Sequence, residues 1–552
     1  MIRKLCTLLS LVLVSTTNLS AQNNCSEVWC ADLGNGSYQN PILHADYSDP
    51  DVVRVGKDYW MTASSFNCIP GLPILHSRDL VNWQFAGYAL KRQVPTDFFD
   101  QPQHGRGVWA PCIKHHKGWF YIYWGDPDFG IYMVKSRDPR GDWSEPVLVK
   151  AGKGLIDPSP LWDDDGRLYL AHAWAGSRSG LNSVITLVEL NSEGTQVISD
   201  EVMIFDGNDG LNHTVEGAKL YKRNGWYYIF APAGGVATGW QLVLRSKAIY
   251  GPYEARVVMA QNESTINGPH QGAWIETPQG ESWFLHFQDK GAYGRIIHLN
   301  PLRWTADDWC VIGEDRDGDG CGTPVATYRK PNQTVTSPIT PAESDEFSTR
   351  SLSPQWQWHA NPQDWFGMTS GYGFLRLYAS REPFVNLWTL PNLLLQKFPA
   401  ARFTATTKLR FASKGEGDSA NLLVMGYDYA RIGLRRHGEE AVVELVTCHD
   451  ADQNTPEESV ELQRIPLTRH ESGAIPLYTA DIWLRVVVSQ DGLCRFSYSL
   501  DGESFIEAEK TFTARVGKWI GAKVGLCCIN NGSKVDRGWM DVDWFRITQP
   551  EK

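Results

Sequence analysis

After its first 21 residues the chain has no run of 18 uninterrupted apolar residues, so the remainder offers no candidate membrane-spanning helix. Cysteine is sparse: 11 residues, thinly scattered, with no CxxC pair of the kind that holds zinc and no dense disulfide framework. Cys25 and Cys30 are close enough to form a small-loop disulfide, while adjacent Cys527 and Cys528 sit in an apolar strand-like run and read as buried thiols. Positive charge is also short. The 52 Lys+Arg against 63 Asp+Glu leave a net charge of −11, which makes nucleic acid and anionic membranes poor partners and suits a neutral substrate.

What the N-terminus has is Arg3 and Lys4, an apolar run from Leu5 to Val14, and small residues at Ser20-Ala21. That order predicts a secretory signal over residues 1–21 and an exported protein, periplasmic or secreted. No cysteine follows the run at a lipobox position, so no lipid anchor is expected. The 552 residues exceed one core of ordinary size and predict two domains. Aromatics are plentiful, with 23 Trp, 21 Tyr and 21 Phe, and 50 Gly and 30 Pro predict many short strands joined by turns. Such rings serve either a β-rich core or the flat apolar faces of sugars. Composition does not choose between them.

A unit recurs five times: "DPDVVRVGKDYWMTAS", "WAPCIKHHKGWFYIYW", "DPSPLWDDDGRLYLAH", "EGAKLYKRNGWYYIFA" and "QGAWIETPQGESWFLHF". Each is a strand, a Gly-containing turn and an aromatic-rich strand, and several continue into a third strand. The units open at Asp49, Trp109, Asp157, Glu216 and Gln271, and this period predicts an all-β chain with a five-bladed β-propeller over residues 22–330. Asp49, Asp157 and Glu216 stand at the first position of their units, so three carboxylates from blades 1, 3 and 4 are expected to converge at the axial opening. Paired carboxylates across a pocket suit glycoside hydrolysis, one protonated and one ionised, with a third raising the acid's pKa. Three acidic groups could also hold Ca²⁺, but the ligand clustering of a calcium loop is missing around them.

The stretches "YSDPDVVRVGKDYWMTASSF", "GVWAP", "GLIDPSPLWDDDGRLYL", "HTVEGAKLYKRNGWYYIF" and "GRIIHLNPLRW" resemble family 43 glycoside hydrolases, inverting five-bladed enzymes, over about residues 40 to 330. The resemblance implies Asp49 as general base, Glu216 as general acid and Asp157 as the group that tunes and orients that acid. It implies Arg295 as a substrate-contacting arginine and Phe66 and Trp109 as pocket walls. In blade 5 the family often has an axial His, sometimes holding Ca²⁺ or water. Here His270 precedes Gln271, and a metal ligand or a hydrogen bond to sugar or carboxylate are both open. Family 32 fructosidases share the architecture, but their Asn-Asp-Pro-Asn opening is replaced by Ser-Asp-Pro-Asp.

Asp315, Asp317 and Asp319 fit D-x-D-x-D-G, yet Ala326 stands where a calcium loop needs Glu, so a tight polar turn is expected. A Pro/Thr/Ser-rich linker is expected over 331–342, and alternating segments with Asp-Gly turns predict a β-sandwich over 343–552. "SDEFS" and "MDVDWFRI" resemble the concanavalin-like domain behind some family 43 β-xylosidases, which can close the pocket from one side. The alternatives are a purely stabilising domain or a separate polysaccharide-binding one. The resulting expectation is an exo-acting, inverting glycosidase that releases terminal pentose, preferably β-D-xylose, from plant oligosaccharides or polysaccharides, with no required cofactor. An α-L-arabinofuranosidase is the close second, and a non-catalytic glycan-binding propeller the reading from another class.

Overall fold

A computed structural model describes residues 25–333, 337–471, 474–532 and 536–550. The signal expected over 1–21 and part of the linker lie outside the described residues. Five four-stranded antiparallel sheets follow one another, each built from consecutive strands. Blade 1 runs Asp51–Val55, Asp58–Thr62, Gly71–Ser77 and Trp83–Leu90. Blades 2 to 5 begin with strands Trp109–His116, Leu155–Trp162, Lys219–Arg223 and His270–Glu276. The residues named after the turn glycines form the second strands, such as Asp58–Thr62 and Trp119–Asp126.

Because side chains alternate across a strand, each blade packs both of its faces. Tyr59 and Met61 face blade 5, whereas Trp60 faces blade 2. Likewise Phe120, Ile122 and Trp124 meet blade 1, while Tyr121 and Tyr123 meet blade 3. Most of the aromatic surplus therefore fills the seams between blades. The seam between blades 5 and 1 carries a clasp, since the ring has no shared blade. Ser37–Gln39 pairs with Thr327–Arg329, Leu43 exchanges backbone hydrogen bonds with Ile297, and buried Lys330 forms ion pairs with Asp32 and Asp79.

The second domain is a sandwich of a seven-stranded and a nine-stranded sheet around one apolar core that includes Trp356, Phe411 and Phe545. Cys25 and Cys30 form the expected disulfide, and Cys527 and Cys528 are buried free thiols. The two domains are joined by backbone. Ile69 and Trp358 exchange hydrogen bonds of 3.0 and 2.6 Å, and the Asn361 side chain both accepts from Gln93 N–H and donates to Gln93 C=O.

Candidate active site

The first strand of every blade is entered through one residue in the left-handed backbone region: Asp49 (φ 55°), Ala110 (38°), Asp157 (57°), Gly217 (63°) and Gln271 (32°). L-residues other than Asn and Asp rarely adopt this region, and the strained positions coincide with the axial mouth. This is the true structural phase of the propeller. It corrects the phase expected from sequence: Asp49, Asp157 and Gln271 hold the position, but Trp109 and Glu216 stand one residue ahead of it. Glu216 is therefore equivalent to Ser48, Trp109, Ile156 and His270. Gly217 takes the strained position in blade 4, and a Cβ there would lie 2.3 Å from the Gln271 side chain.

Asp49, Phe66, Trp109, Asp157, Glu216, Gln271 and Arg295 line one cavity of about 420 Å³, with Trp174, Ser183, Thr214 and Trp519 completing its wall. Asp49 is buried, and its Oδ2 accepts from Ser48 Oγ at 2.7 Å and Ser64 Oγ at 2.5 Å. Arg295 lies 3.4 Å from Asp49 Oδ1 and donates to Ser48 Oγ at 2.7 Å. Two serine hydroxyls and the Arg295 guanidinium thus converge on the buried Asp49 carboxylate.

Asp157 accepts from the N–H of Gly217 at 2.7 Å and from Gln271 Nε2 at 3.1 Å. Burial, and next the charge of Glu216, push its carboxyl up to about 8. Asp157 is the enclosed member of the pair, whereas the Glu216 side chain is about one-third exposed. Close carboxylates titrate as a pair.

His270 is not in the cavity wall. It is fully buried behind Glu216, with Nε2 at 3.3 Å from Oε1. Of the expected alternatives, the contact seen is the one with a carboxylate, Glu216. Nor do the axial residues fit a central Ca²⁺. Two residues past the strained position stand Asp51, Cys112, Ser159, Lys219 and Ala273, and the buried Lys219 ammonium donates to Pro111 C=O across the ring at 2.8 Å. Burial alone would drive this ammonium down, but Asp51, then Cys112, Asp157 and Asp49, hold it above the usual lysine range. A resident cation therefore already balances the axial carboxylates. Among the described residues, the metal-capable cluster is Asp315, Asp317 and Asp319. Asp315 and Asp319 accept from the N–H groups of Gly318 and Cys321, as a tight polar turn does.

Three site residues escape the sequence. Ser64 bridges Asp49 and the N–H of Ala110. Trp519 comes from the sandwich, with its ring 5.8 Å from Trp109 and the Arg295 guanidinium 5.5 Å from its centre. Asp46 sets both walls at once, accepting from Arg295 N–H and from Gly521 N–H at 2.9 Å each. Only the "SDP" and "ASSF" contexts hint at the serines, and nothing local marks Trp519.

A propeller whose axial pocket gathers three carboxylates, an arginine and aromatic walls is that of a glycoside hydrolase. Residues 38–310 match the model of glycosyl hydrolases family 43, and residues 344–548 that of the β-xylosidase C-terminal concanavalin A-like domain. A Xylanibacter ruminicola protein is 35% identical, covering 90% of this chain and 86% of its own length. A β-xylosidase of Formosa agariphila is 32% identical over 93% of this chain and 90% of its own. A non-reducing-end α-L-arabinofuranosidase of Bacteroides ovatus is 28% identical over 77% and 81%. The crystal structure of a family 43 protein from Bacillus licheniformis, a K247S mutant, superposes with a TM-score of 0.78 at 26% identity, covering 93% of this chain and all of its own. The chain belongs to glycoside hydrolase family 43.

Proposed function

We propose that the protein removes single β-D-xylose units from the non-reducing ends of plant xylan fragments, inverting the anomeric carbon. One observation carries the reading. Trp519, reaching in from the sandwich, completes the aromatic wall with Trp109 and Phe66, so the cavity receives a chain end rather than a chain passing through. Asp49, held by Ser48, Ser64 and Arg295, takes a proton from water as it attacks. Glu216, held by His270, donates to the departing oxygen. Asp157 fixes the backbone after Glu216, and the two carboxyls titrate as a pair. This chemistry needs no cofactor.

Release of α-L-arabinofuranose is the second reading, supported by the similarity to the Bacteroides ovatus enzyme. The two sugars place their hydroxyls similarly against such walls. Pure glycan binding is disfavoured because all three carboxylates line one cavity. The N-terminal pattern supports export to the periplasm or beyond. The deciding experiment compares hydrolysis of 4-nitrophenyl β-D-xyloside and 4-nitrophenyl α-L-arabinofuranoside, with the released anomer followed by NMR. Preference for the arabinofuranoside overturns the first reading, and failure to cleave either overturns both.

A further inference from the structure

Among the described residues, the ammonium of Lys523 has one side-chain hydrogen-bond partner: the Sγ of Cys68, at 2.9 Å. Both residues are buried, Cys68 to 1% and Lys523 to 2% exposure. They belong to different domains. Cys68 sits in the propeller two residues after the pocket wall Phe66, and Lys523 opens a sandwich strand four residues after the pocket wall Trp519. Their approach is fixed on the Cys68 side by the reciprocal Ile69–Trp358 hydrogen bonds and by Asn67 donating to His359 C=O. No other cysteine among the described residues has an amine as hydrogen-bond partner. Cys112, Cys448 and Cys494 meet hydroxyl or carbonyl groups instead.

We propose that Cys68 and Lys523 are a covalent modification site, at which a hydroperoxide-class oxidant joins Sγ to Nζ through one oxygen atom and fastens the sandwich to the propeller. Among the described residues, the Cys68 thiol is the one side chain that Lys523 Nζ meets at hydrogen-bond distance, so the two atoms to be joined already face each other in a buried site. A gap of 2.9 Å is close to the span of an inserted oxygen, and closing it to a direct S–N bond would need a larger backbone movement.

The chemistry balances with two molecules of hydrogen peroxide. In the first step Sγ attacks one peroxide oxygen, the O–O bond breaks, and the departing hydroxide takes a proton from the Cys68–Lys523 pair and leaves as water, giving the sulfenic acid beside a neutral amine. In the second, Nζ and the sulfenyl oxygen each lose a hydrogen as the N–O bond forms, and the second peroxide accepts the two electrons and two protons as two waters. The route in is short. A cavity of about 60 Å³ between the domains is lined by Tyr47, Tyr88 and Lys397, the last two within electrostatic reach of Cys68, and it has room for a molecule of peroxide size.

The test treats the full protein with excess hydrogen peroxide, then digests it without reductant and maps it by mass spectrometry. The expected product joins the Cys68 and Lys523 peptides at their summed mass plus about 14 Da, one oxygen gained and two hydrogens lost, and is reversed by dithiothreitol. Cys68→Ser and Lys523→Arg, the second retaining the charge and so the fold, should both abolish it. Recovery of Cys68 as free thiol or as unlinked sulfinic acid overturns the proposal. So does a link that survives in Lys523→Arg, or one lacking the oxygen.

Discussion

The N–H of Gly217 donates to the Asp157 carboxylate at 2.7 Å, so the blade 3 carboxylate grips the backbone of the residue that follows Glu216. One group thereby sets both the position and the charge environment of the acid. A substitution at Asp157 should separate into two measurable effects.

In Asp157→Asn the amide can still accept from Gly217, but the charge facing Glu216 is gone. Negative charge at 157 favours retention of a proton by the pair, so its removal should move the alkaline limb of the pH–rate profile to lower pH. Stability should move the other way. A carboxyl pushed up to about 8 in the fold, from a normal unfolded value, weakens the native state progressively as pH rises from about 4 to 8. The Asn variant should lose that decline, and melting temperatures at pH 5 and pH 8 measure it. An unmoved alkaline limb with lower activity would reduce Asp157 to a geometric role.

Glu216→Gln keeps the shape and removes the donated proton. Turnover on substrates with poor leaving groups should fall by a factor on the order of 10² to 10⁴, and far less on aryl glycosides with good leaving groups. Steady-state kinetics on xylobiose and on activated aryl xylosides test this, and equal losses on both would remove Glu216 from the role of acid.

Asp49 belongs to blade 1 and Glu216 to blade 4, which are not neighbours in the ring. Inversion requires a gap of ~6.5–9.5 Å that admits water, whereas direct attack needs ~5 Å. NMR of the first turnover products should show the inverted anomer, and azide should not restore a retained product to Asp49→Ala. Trapping a sugar bonded to Asp49 would refute the mechanism.

Trp519→Ala should raise KM by roughly 3- to 10-fold with a smaller change in kcat, matching the ~0.5–1.5 kcal/mol of an aromatic contact. A loss confined to kcat would mean that the sandwich positions the catalytic groups rather than the sugar.

Lys219→Met should leave Asp51 buried beside no cation, and a broken buried pair costs ~3–5 kcal/mol. Denaturant midpoints read the loss, and a stability near that of the wild type would show that the axial carboxylates do not depend on this ammonium.

Much of this was legible in the chain. Period and turn glycines announce five blades, and Asp49, Asp157, Glu216 and Arg295 do share one cavity. The phase of Glu216 was misread by one residue because strand entry is set by a backbone angle, and "EGAK" shows that angle only as a glycine. The sequence leaves His270 open between metal, sugar and carboxylate because a lone imidazole carries no sign of which side it faces, and the structure sets it against Glu216. Asp46 and Trp519 were invisible for another reason: Asp46 reaches the Trp519 segment at the N–H of Gly521, across 475 residues of chain, and no local pattern encodes that contact.

Every blade is a single stretch of chain, so the ring has a beginning and an end, and blades 1 and 5 meet as strangers. Asp49 and Arg295 stand on opposite lips of that seam. A xylose held between them would act as a stitch as well as a substrate, because whatever binds the closed ring and not the opened one stabilises it by mass action. Sugar affinity and ring closure are thus the same free energy seen from two sides, and a clasp weakened at Asp32 or Lys330 would be felt first as weaker sugar binding.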